Sequence, residues 1–158
     1  LKTTGGAILI NGKTVEGPGL DRGMVFQNAA LFPWLTAIEN IEFGPKNQGV
    51  AKAERRKMAQ DLIELVRLKG FENKYPRELS GGQQQRTAIA RALINKPDVI
   101  FADEPIGNLD SKTGTEILEL LKKINREYGI TVLMVTHSEE SAAYANRIIR
   151  LRDGAITG

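Results

Sequence analysis

The sequence ELSGGQQQRTAIARALINKPDVIFADEPIGNLD, from Glu78 to Asp110, decides the fold. Its first half predicts a helix that begins at Gly81, because Ser80 and Gln83 have the spacing of a capping box and apolar residues follow at helical intervals. Gly81 and Gly82 cost helix stability, but they would let a phosphate approach bare backbone N–H groups at the positive end of the helix dipole. Residues 80–83 are therefore candidate phosphate-binding residues. An ordinary capped helix is the alternative.

The second half of this stretch predicts a strand that ends on two acids. Pro97 ends the helix, and the apolar run Val99–Ala102 is typical of a strand covered on both faces of a parallel sheet. Asp103 and Glu104 follow at its carboxyl end, which is the edge where open α/β sheets bind ligands. Asp103 would hold Mg²⁺ through water, and Glu104 would position or deprotonate an attacking water. Two solvated acids at a strand end are the alternative.

Three motifs in this stretch resemble those of one family. LSGGQQQR is similar to the signature motif of ATP-binding cassette (ABC) ATPases, VIFADEP is similar to their Walker B strand with its catalytic glutamate, and GNLD is similar to their D loop. The family usually has Thr where Ile106 stands. The resemblance extends from Gly5 onward. It implies an α/β fold with a P-loop NTPase-like parallel core sheet flanked by helices (1–30 and 96–158) and an inserted helical subdomain (about 31–95).

The resemblance also assigns roles to residues that would be unremarkable alone. Gln27 follows the predicted strand Met24–Phe26 and matches the Q loop glutamine, which reaches Mg²⁺ and the attacking water. His137, the single histidine, follows the predicted buried strand Ile130–Val135 and matches the switch histidine that donates to the γ-phosphate. The implied catalytic residues are Glu104, His137 and Gln27; the implied nucleotide-binding residues are Ser80, Gly81, Gly82, Gln83 and Asp110; the implied metal ligands are Asp103 and Gln27.

A phosphate-binding loop is not found in the sequence. Gly12-Lys13-Thr14 invites that interpretation, but the preceding apolar residues predict a strand, and Asn11-Gly12 is the turn signal of a hairpin over Gly5–Val15. Leu1 is not a methionine. We therefore expect the chain to be a fragment that lacks the strand, phosphate loop and helix of the Walker A segment.

Helical patterns are predicted between these motifs. A capping box of Thr36 and Glu39 predicts a short helix through Ile41, and Lys52–Lys69 predicts a second helix. Its predicted inner face is formed by Met58, Leu62, Leu65 and Val66. A helix over Glu116–Tyr128 would bury Ile117, Leu120, Leu121 and Ile124. Arg147–Leu151 and Asp153-Gly154 would form a final strand and turn. The resemblance makes Phe32, Pro33, Trp34 and Leu35 candidates for docking a permease; the alternative is that Trp34 lies in the core.

Composition fits an ordinary globular domain. The net charge of +3 is too small to indicate nucleic acid as a partner, and the absence of cysteine excludes disulfides and thiolate metal sites. No apolar run approaches the ~20 residues that cross a bilayer. Any link to a membrane would therefore go through a partner.

The function implied by the resemblance is binding and hydrolysis of ATP with Mg²⁺ by a head-to-tail dimer of nucleotide-binding domains, peripheral to the cytoplasmic face of the bacterial inner membrane. The dimer would drive permease subunits, with a possible substrate-binding protein. Residues 17–44 are similar to nitrate, sulfonate and taurine importers, whereas residues 107–154 are similar to lipoprotein-release and macrolide exporters. The alternatives are a soluble ABC ATPase without a transport role and a truncated cassette without ATPase activity that lends only its signature motif.

Overall fold

The computed structural model describes residues 5–157. Seven strands and five helices follow one another in this range, with a short 3₁₀ helix at Pro76–Glu78. They are β1 (Leu9–Ile10), β2 (Lys13–Thr14), β3 (Arg22–Val25), α1 (Ala37–Asn47), α2 (Lys52–Leu65), α3 (Gly81–Leu93), β4 (Val99–Asp103), α4 (Ser111–Tyr128), β5 (Thr131–Val135), α5 (Glu139–Ala142), β6 (Leu151–Arg152) and β7 (Ala155–Ile156).

A parallel sheet of β3, β4 and β5, in that order, forms the centre of the fold. Met24 pairs with Phe101, and Phe101 pairs with Leu133. Because all three strands run in the same direction, the residues that follow them meet at one edge. The predicted parallel sheet flanked by helices is confirmed.

Helices cover only one face of this sheet within the described residues. On the covered face, Val25, Ile100 and Ala102 pack with α3 and α4 in the hydrophobic core. On the opposite face, Leu133 is 49% exposed and Val135 is 57% exposed. The prediction that β5 is buried on both sides is therefore wrong here, because an apolar run does not show which faces have a partner.

The capping boxes and turns were better predicted than the element lengths. Thr36 and Glu39 cap α1 as expected, but α1 continues beyond Ile41 to Asn47 and contains Pro45. Helix α2 ends at Leu65 rather than Lys69, since Arg67 adopts a left-handed conformation with φ of 58°.

The inner face of α2 is rotated from the predicted one. The fully buried residues of this helix are Ala59 and Ile63, whereas the predicted Met58, Leu62 and Leu65 are half-buried at the margin of the core. Val66 is buried as predicted.

Helix α4 buries its four predicted apolar residues but begins at Ser111 rather than Glu116. Asp110 caps its first turn, and Gly129 ends it in the left-handed conformation that glycine adopts at low cost.

The hairpin of β1 and β2 was predicted correctly, whereas the bounds of the last predicted strand were wrong. Asn11 and Gly12 both have positive φ and join β1 to β2, so Lys13 and Thr14 lie in a strand and not in a phosphate-binding loop. The strand predicted over Arg147–Leu151 instead begins at Leu151 and pairs with β7. No helix within residues 5–157 has the length and apolar character required to span a membrane.

Candidate nucleotide site

Glu104 is held at the carboxyl edge of the sheet by the loop that follows β5. Its backbone N–H donates to the Val135 carbonyl at 2.9 Å. Carboxylate Oε1 accepts from the backbone N–H of His137 at 2.8 Å and lies 2.6 Å from His137 Nδ1, while Oε2 accepts from the Thr136 hydroxyl at 3.2 Å. Three groups of one loop thus fix this single carboxylate.

The same contacts keep the Glu104 side chain ionised. Burial raises the pKa of its carboxyl, but the hydrogen bonds from the His137 ring, the His137 backbone and Thr136 outweigh it, so that the pKa lies below its ordinary value. The backbone of Glu104 has φ of 43°, a conformation that a non-glycine residue adopts only when its surroundings impose it. The site therefore presents a fixed carboxylate at neutral pH.

Asp103 is the last residue of β4, and its side chain is exposed beside Glu104. Within residues 5–157 no cluster of three His, Cys, Asp or Glu side chains forms a ready cation site. Mg²⁺ needs no such cluster, because it keeps several waters and is commonly held by one or two carboxylates and by substrate phosphates. The exposed carboxylate of Asp103 fits a cation held in this way.

Gln27 lies close to the D loop, residues 107–110. Its amide nitrogen donates to Asn108 Oδ1 at 3.4 Å, and a Cβ atom built on Gly107 would lie 2.6 Å from that nitrogen. Asn108 in turn donates to Asn28 at 2.5 Å. The amide oxygen of Gln27 accepts no hydrogen bond from the described residues, so it remains available as a metal or water ligand.

The signature motif starts α3 with the predicted geometry. The Ser80 hydroxyl accepts from the Gln83 N–H at 3.3 Å, and Gln83 Oε1 accepts from the Ser80 N–H at 2.9 Å. Gly81 is exposed, but Gly82 is buried, and a Cβ atom built on Gly82 would overlap Cγ2 of Thr113. Gly82 therefore has a packing reason to be glycine, besides the phosphate access predicted from the sequence.

Asp110 serves as the N-cap of α4. Its carboxylate accepts from the Thr113 N–H at 3.0 Å, and hydrogen bonds from the Thr113 side chain and backbone lower the pKa of Asp110. The N-termini of α3 and α4 lie side by side, since a Cβ atom built on Gly81 would lie 3.2 Å from Leu109. The signature motif and the D loop of one chain are thus neighbours.

Sequence reasoning missed several residues of the site. The missed residues that contact the loops described here are Asn28, Gln85, Arg91 and Thr136. Only Thr136 had a local signal, because it lies between a predicted strand and His137. The others are recognised only by contacts between segments distant in sequence.

Of the four predicted docking residues, Pro33 and Trp34 are exposed, whereas Phe32 and Leu35 are half-buried. Trp34 is 69% exposed, so the alternative that placed it in the core is wrong. Its ring packs against Phe32 with 5.6 Å between centroids, and Phe32 packs against Phe43 at 4.4 Å. Trp34 is thus an exposed aromatic side chain whose ring is held in place by Phe32, and such a side chain is suited to a protein contact.

The parallel sheet has two acids, a glutamine and a histidine at its carboxyl edge. This arrangement defines an α/β nucleotide-binding fold, and comparison with known proteins specifies the class of protein. The family model described as ABC transporter matches residues 1–107. ABC transporter ATP-binding protein MJ1508 of Methanocaldococcus jannaschii is 54% identical over 134 residues, covering 85% of this chain and 59% of that protein. Taurine import ATP-binding protein TauB of Pelagibacter ubique is 46% identical over 142 residues, covering 90% of this chain and 54% of TauB.

Solved structures agree with the sequence comparisons. The dimeric, post-hydrolysis structure of the ATP-binding cassette MJ0796 bound to ADP and Pi is similar with a TM-score of 0.82 and 43% identity, covering 97% of this chain and 72% of that chain. The protein belongs to the ABC transporter family. It spans between half and three fifths of the length of MJ1508 and TauB.

Proposed function

We propose that the protein binds ATP with Mg²⁺ and hydrolyses the bond to the γ-phosphate of ATP, as the ATP-binding subunit of an ABC transporter. The observation that carries this proposal is the Glu104 carboxylate, fixed by His137 and Thr136 at the carboxyl end of β4 and adjacent to Asp103. In this proposal the core comprises residues 1–30 and 96–158, and the helical subdomain comprises about 31–95.

Each proposed catalytic role follows from the groups available. Glu104, being ionised, would accept a hydrogen bond from the attacking water and orient it for in-line attack. Asp103 and the amide oxygen of Gln27 would hold Mg²⁺, directly or through water. The bound cation would supply charge stabilisation for the phosphate oxygens.

The role of His137 depends on its contact with Glu104. Because a carboxylate only accepts hydrogen bonds, Nδ1 of His137 must be the donor in the 2.6 Å contact. A neutral imidazole has one N–H, so its Nε2 would then be an acceptor and unable to donate to a phosphate oxygen. His137 would donate to the γ-phosphate either as imidazolium or after it releases Glu104.

Two substitutions test the proposed chemistry. Glu104→Gln should retain Mg-ATP binding and lower the hydrolysis rate roughly 10²-fold or more, the usual size of a general-base contribution. Glu119→Gln, which alters an exposed glutamate on α4, is the matched control. Hydrolysis that is equally fast in both variants would contradict the role of Glu104. If the chain itself binds no ATP, the proposal fails for this chain and the inactive-cassette alternative is favoured.

The proposed active form is a head-to-tail dimer in which residues Ser80, Gly81, Gly82 and Gln83 of one copy, together with Asp110, contact the nucleotide of the other. The similarity to the dimeric MJ0796 cassette supports it. Mg-ATP should dimerise Glu104→Gln, as measured by light scattering, and Ser80→Arg should prevent this. Thr36→Ala removes the same type of cap from α1 and should leave dimerisation intact. Dimers that persist with Ser80→Arg would contradict the arrangement.

The proposed partners are membrane permease subunits at the cytoplasmic face of the bacterial inner membrane, with a substrate-binding protein in an importer. The similarity to TauB and the resemblance of residues 17–44 to importers favour import. Trp34→Ala should lower recovery of the protein with permease-containing membranes. Tyr128→Ala, at an aromatic residue that is 54% exposed elsewhere, should not. Equal recovery of both variants, or retention on ribosomes or DNA instead, would overturn this assignment.

A further inference from the structure

Arg91, on α3, holds the loop that carries Gln27. Its guanidinium donates to the carbonyl of Ala30 at 2.8 Å and to the carbonyl of Ala29 at 3.0 Å. Both hydrogen bonds have a charged donor, and a planar fork that bonds two acceptors also fixes their orientation. A single side chain thus holds two successive peptide groups of this loop.

The two residues that Arg91 holds have an unfavourable backbone conformation. Ala29 has φ of 54° and Ala30 has φ of 46°, in the left-handed region that alanine rarely adopts. Such a conformation persists where surrounding contacts impose it. Arg91 provides those contacts from α3, and Gln85 on the same helix donates to the carbonyl of Phe26 at 3.0 Å. The loop is therefore held on both sides of Gln27.

Arg91 also contacts the exposed aromatic surface. Its guanidinium carbon lies 5.7 Å from the ring centroid of Phe32, within the range of a cation–π interaction. Phe32 in turn packs against Trp34. One side chain thus contacts both the loop that follows Gln27 and the ring that supports Trp34.

We infer that Arg91 is a positioning residue that fixes the Gln27 loop and joins it mechanically to the Phe32–Trp34 surface. The inference rests on the proposed function, because Gln27 would be the nucleotide-side end of the link and Trp34 the partner-side end. Lysine would keep the charge but lose the fork, so it would be an incomplete replacement.

Amide hydrogen exchange tests whether Arg91 fixes the Gln27 loop, and it requires no ATPase activity. The Ala29 N–H donates to the Phe26 carbonyl, so its exchange reports on the loop. Arg91→Met removes two charge-assisted hydrogen bonds, and the loss of even one corresponds to roughly tenfold, so exchange at Ala29 should accelerate at least about tenfold. Exchange of the core amide of Ile89 should stay unchanged. Arg91→Lys should lie between Met and wild type. Arg77→Met, at an exposed arginine beside Tyr75, is the matched control.

A uniform acceleration at Ala29 and Ile89 would show a general loss of stability and would overturn the specific role of Arg91. Unchanged exchange at Ala29 would overturn the inference as well. Neither result depends on ATP binding.

The fluorescence of Trp34, the single tryptophan, tests the mechanical link. Mg-ATP should change Trp34 emission in the wild type, and Arg91→Met should abolish this change while calorimetry still detects nucleotide binding. If calorimetry detects no nucleotide binding to the wild type, the proposed function fails. The exchange experiment still tests whether Arg91 fixes the Gln27 loop. Binding with no emission change in the wild type, or with the same change in Arg91→Met, would overturn the link.

Discussion

Arg86 of α3 and Glu116 of α4 form an ion pair with 2.7 Å between Nη2 and Oε2. Arg86 also donates to the Val66 carbonyl at 3.2 Å. The Arg86 side chain is 10% exposed and that of Glu116 is 47% exposed, so the pair lies at the margin of the core. It joins the helix that begins at the signature motif to the helix that begins at the D loop.

The two partners of this pair should contribute unequally to stability. Arg86→Met removes both hydrogen bonds and leaves the Val66 carbonyl without its donor, so it should lower the free energy of unfolding by about 2 kcal/mol. Glu116→Gln should lower it by less than about 1 kcal/mol, because water screens a half-exposed carboxylate. Urea unfolding measures both values. Equal effects of Glu116→Gln and the exposed control Glu119→Gln would contradict the contribution of the pair.

Gly82 should be intolerant of a methyl group despite its position in a helix. Alanine is normally favoured over glycine there by about 1 kcal/mol, but its Cβ would overlap Cγ2 of Thr113. We expect Gly82→Ala to destabilise by about 1 to 3 kcal/mol, as overpacking does, and Thr113→Ser to restore most of the loss in the double variant. Gly81→Ala is the control, since its nearest neighbour is the flexible Leu109. A stabilising Gly82→Ala would contradict this packing.

Asn40 should be required for the loop before α1. Its side chain is fully buried, and the two N–H groups of its amide are shared among the carbonyls of Phe32, Leu35 and Thr36 at 3.0 to 3.1 Å. Its amide oxygen accepts from the Phe32 N–H at 2.8 Å. Asn40→Ala leaves the Phe32 N–H and the Leu35 carbonyl without these partners, while the Phe32 and Thr36 carbonyls keep a backbone donor each. We therefore expect a loss of about 2 to 3 kcal/mol in urea unfolding. Trp34 emission should shift at the same time. A loss below about 0.5 kcal/mol would show that water replaces the side chain.

The Glu104 contacts should make stability depend on pH in the acid range. Because the folded-state pKa of Glu104 lies below its ordinary value of 4.5, the ionised group stabilises the fold above that value, and this contribution is lost as pH falls through the folded pKa. The stability difference between wild type and Glu104→Gln should therefore be constant at neutral pH and decrease in acid. His137→Ala removes the ring that contacts the carboxylate but keeps the backbone N–H of residue 137, so it should reduce the size of this pH dependence without abolishing it. A difference that grows on acidification would contradict the direction of the shift.

Local signals in the sequence were sufficient for part of the fold. The capping boxes at Thr36 and Ser80, the turn at Asn11-Gly12 and the acids at the carboxyl end of β4 each depend on residues within one turn or strand end. For the same reason, the pattern placed Asp103, Glu104 and His137 at the ends of strands. The motif resemblance then implied that these strands lie in one parallel sheet, but it did not give their order.

The remaining features depend on contacts that no local pattern contains. The open face of β5 could not be predicted, because an apolar run has the same sequence whether one face or two are covered. The packing of Gly82 against Thr113 and the bonds of Arg91 to Ala29 and Ala30 join segments far apart in the chain. The continuation of α1 through Pro45 was missed because Gly44-Pro45 resembles a helix stop.

The pairing of β3 with β4 has a consequence for how the chain folds. Arg22 pairs with Val99, so α1, α2 and α3 all lie between the two paired strands in sequence. Closing so long a segment costs chain entropy before any strand contact forms, and such non-local pairings slow folding. The helices should therefore form first and bring β3 to β4. The edge that carries Gln27 and Asp103 would then be completed late in folding, which makes it the part of the molecule most dependent on correct assembly of the helices.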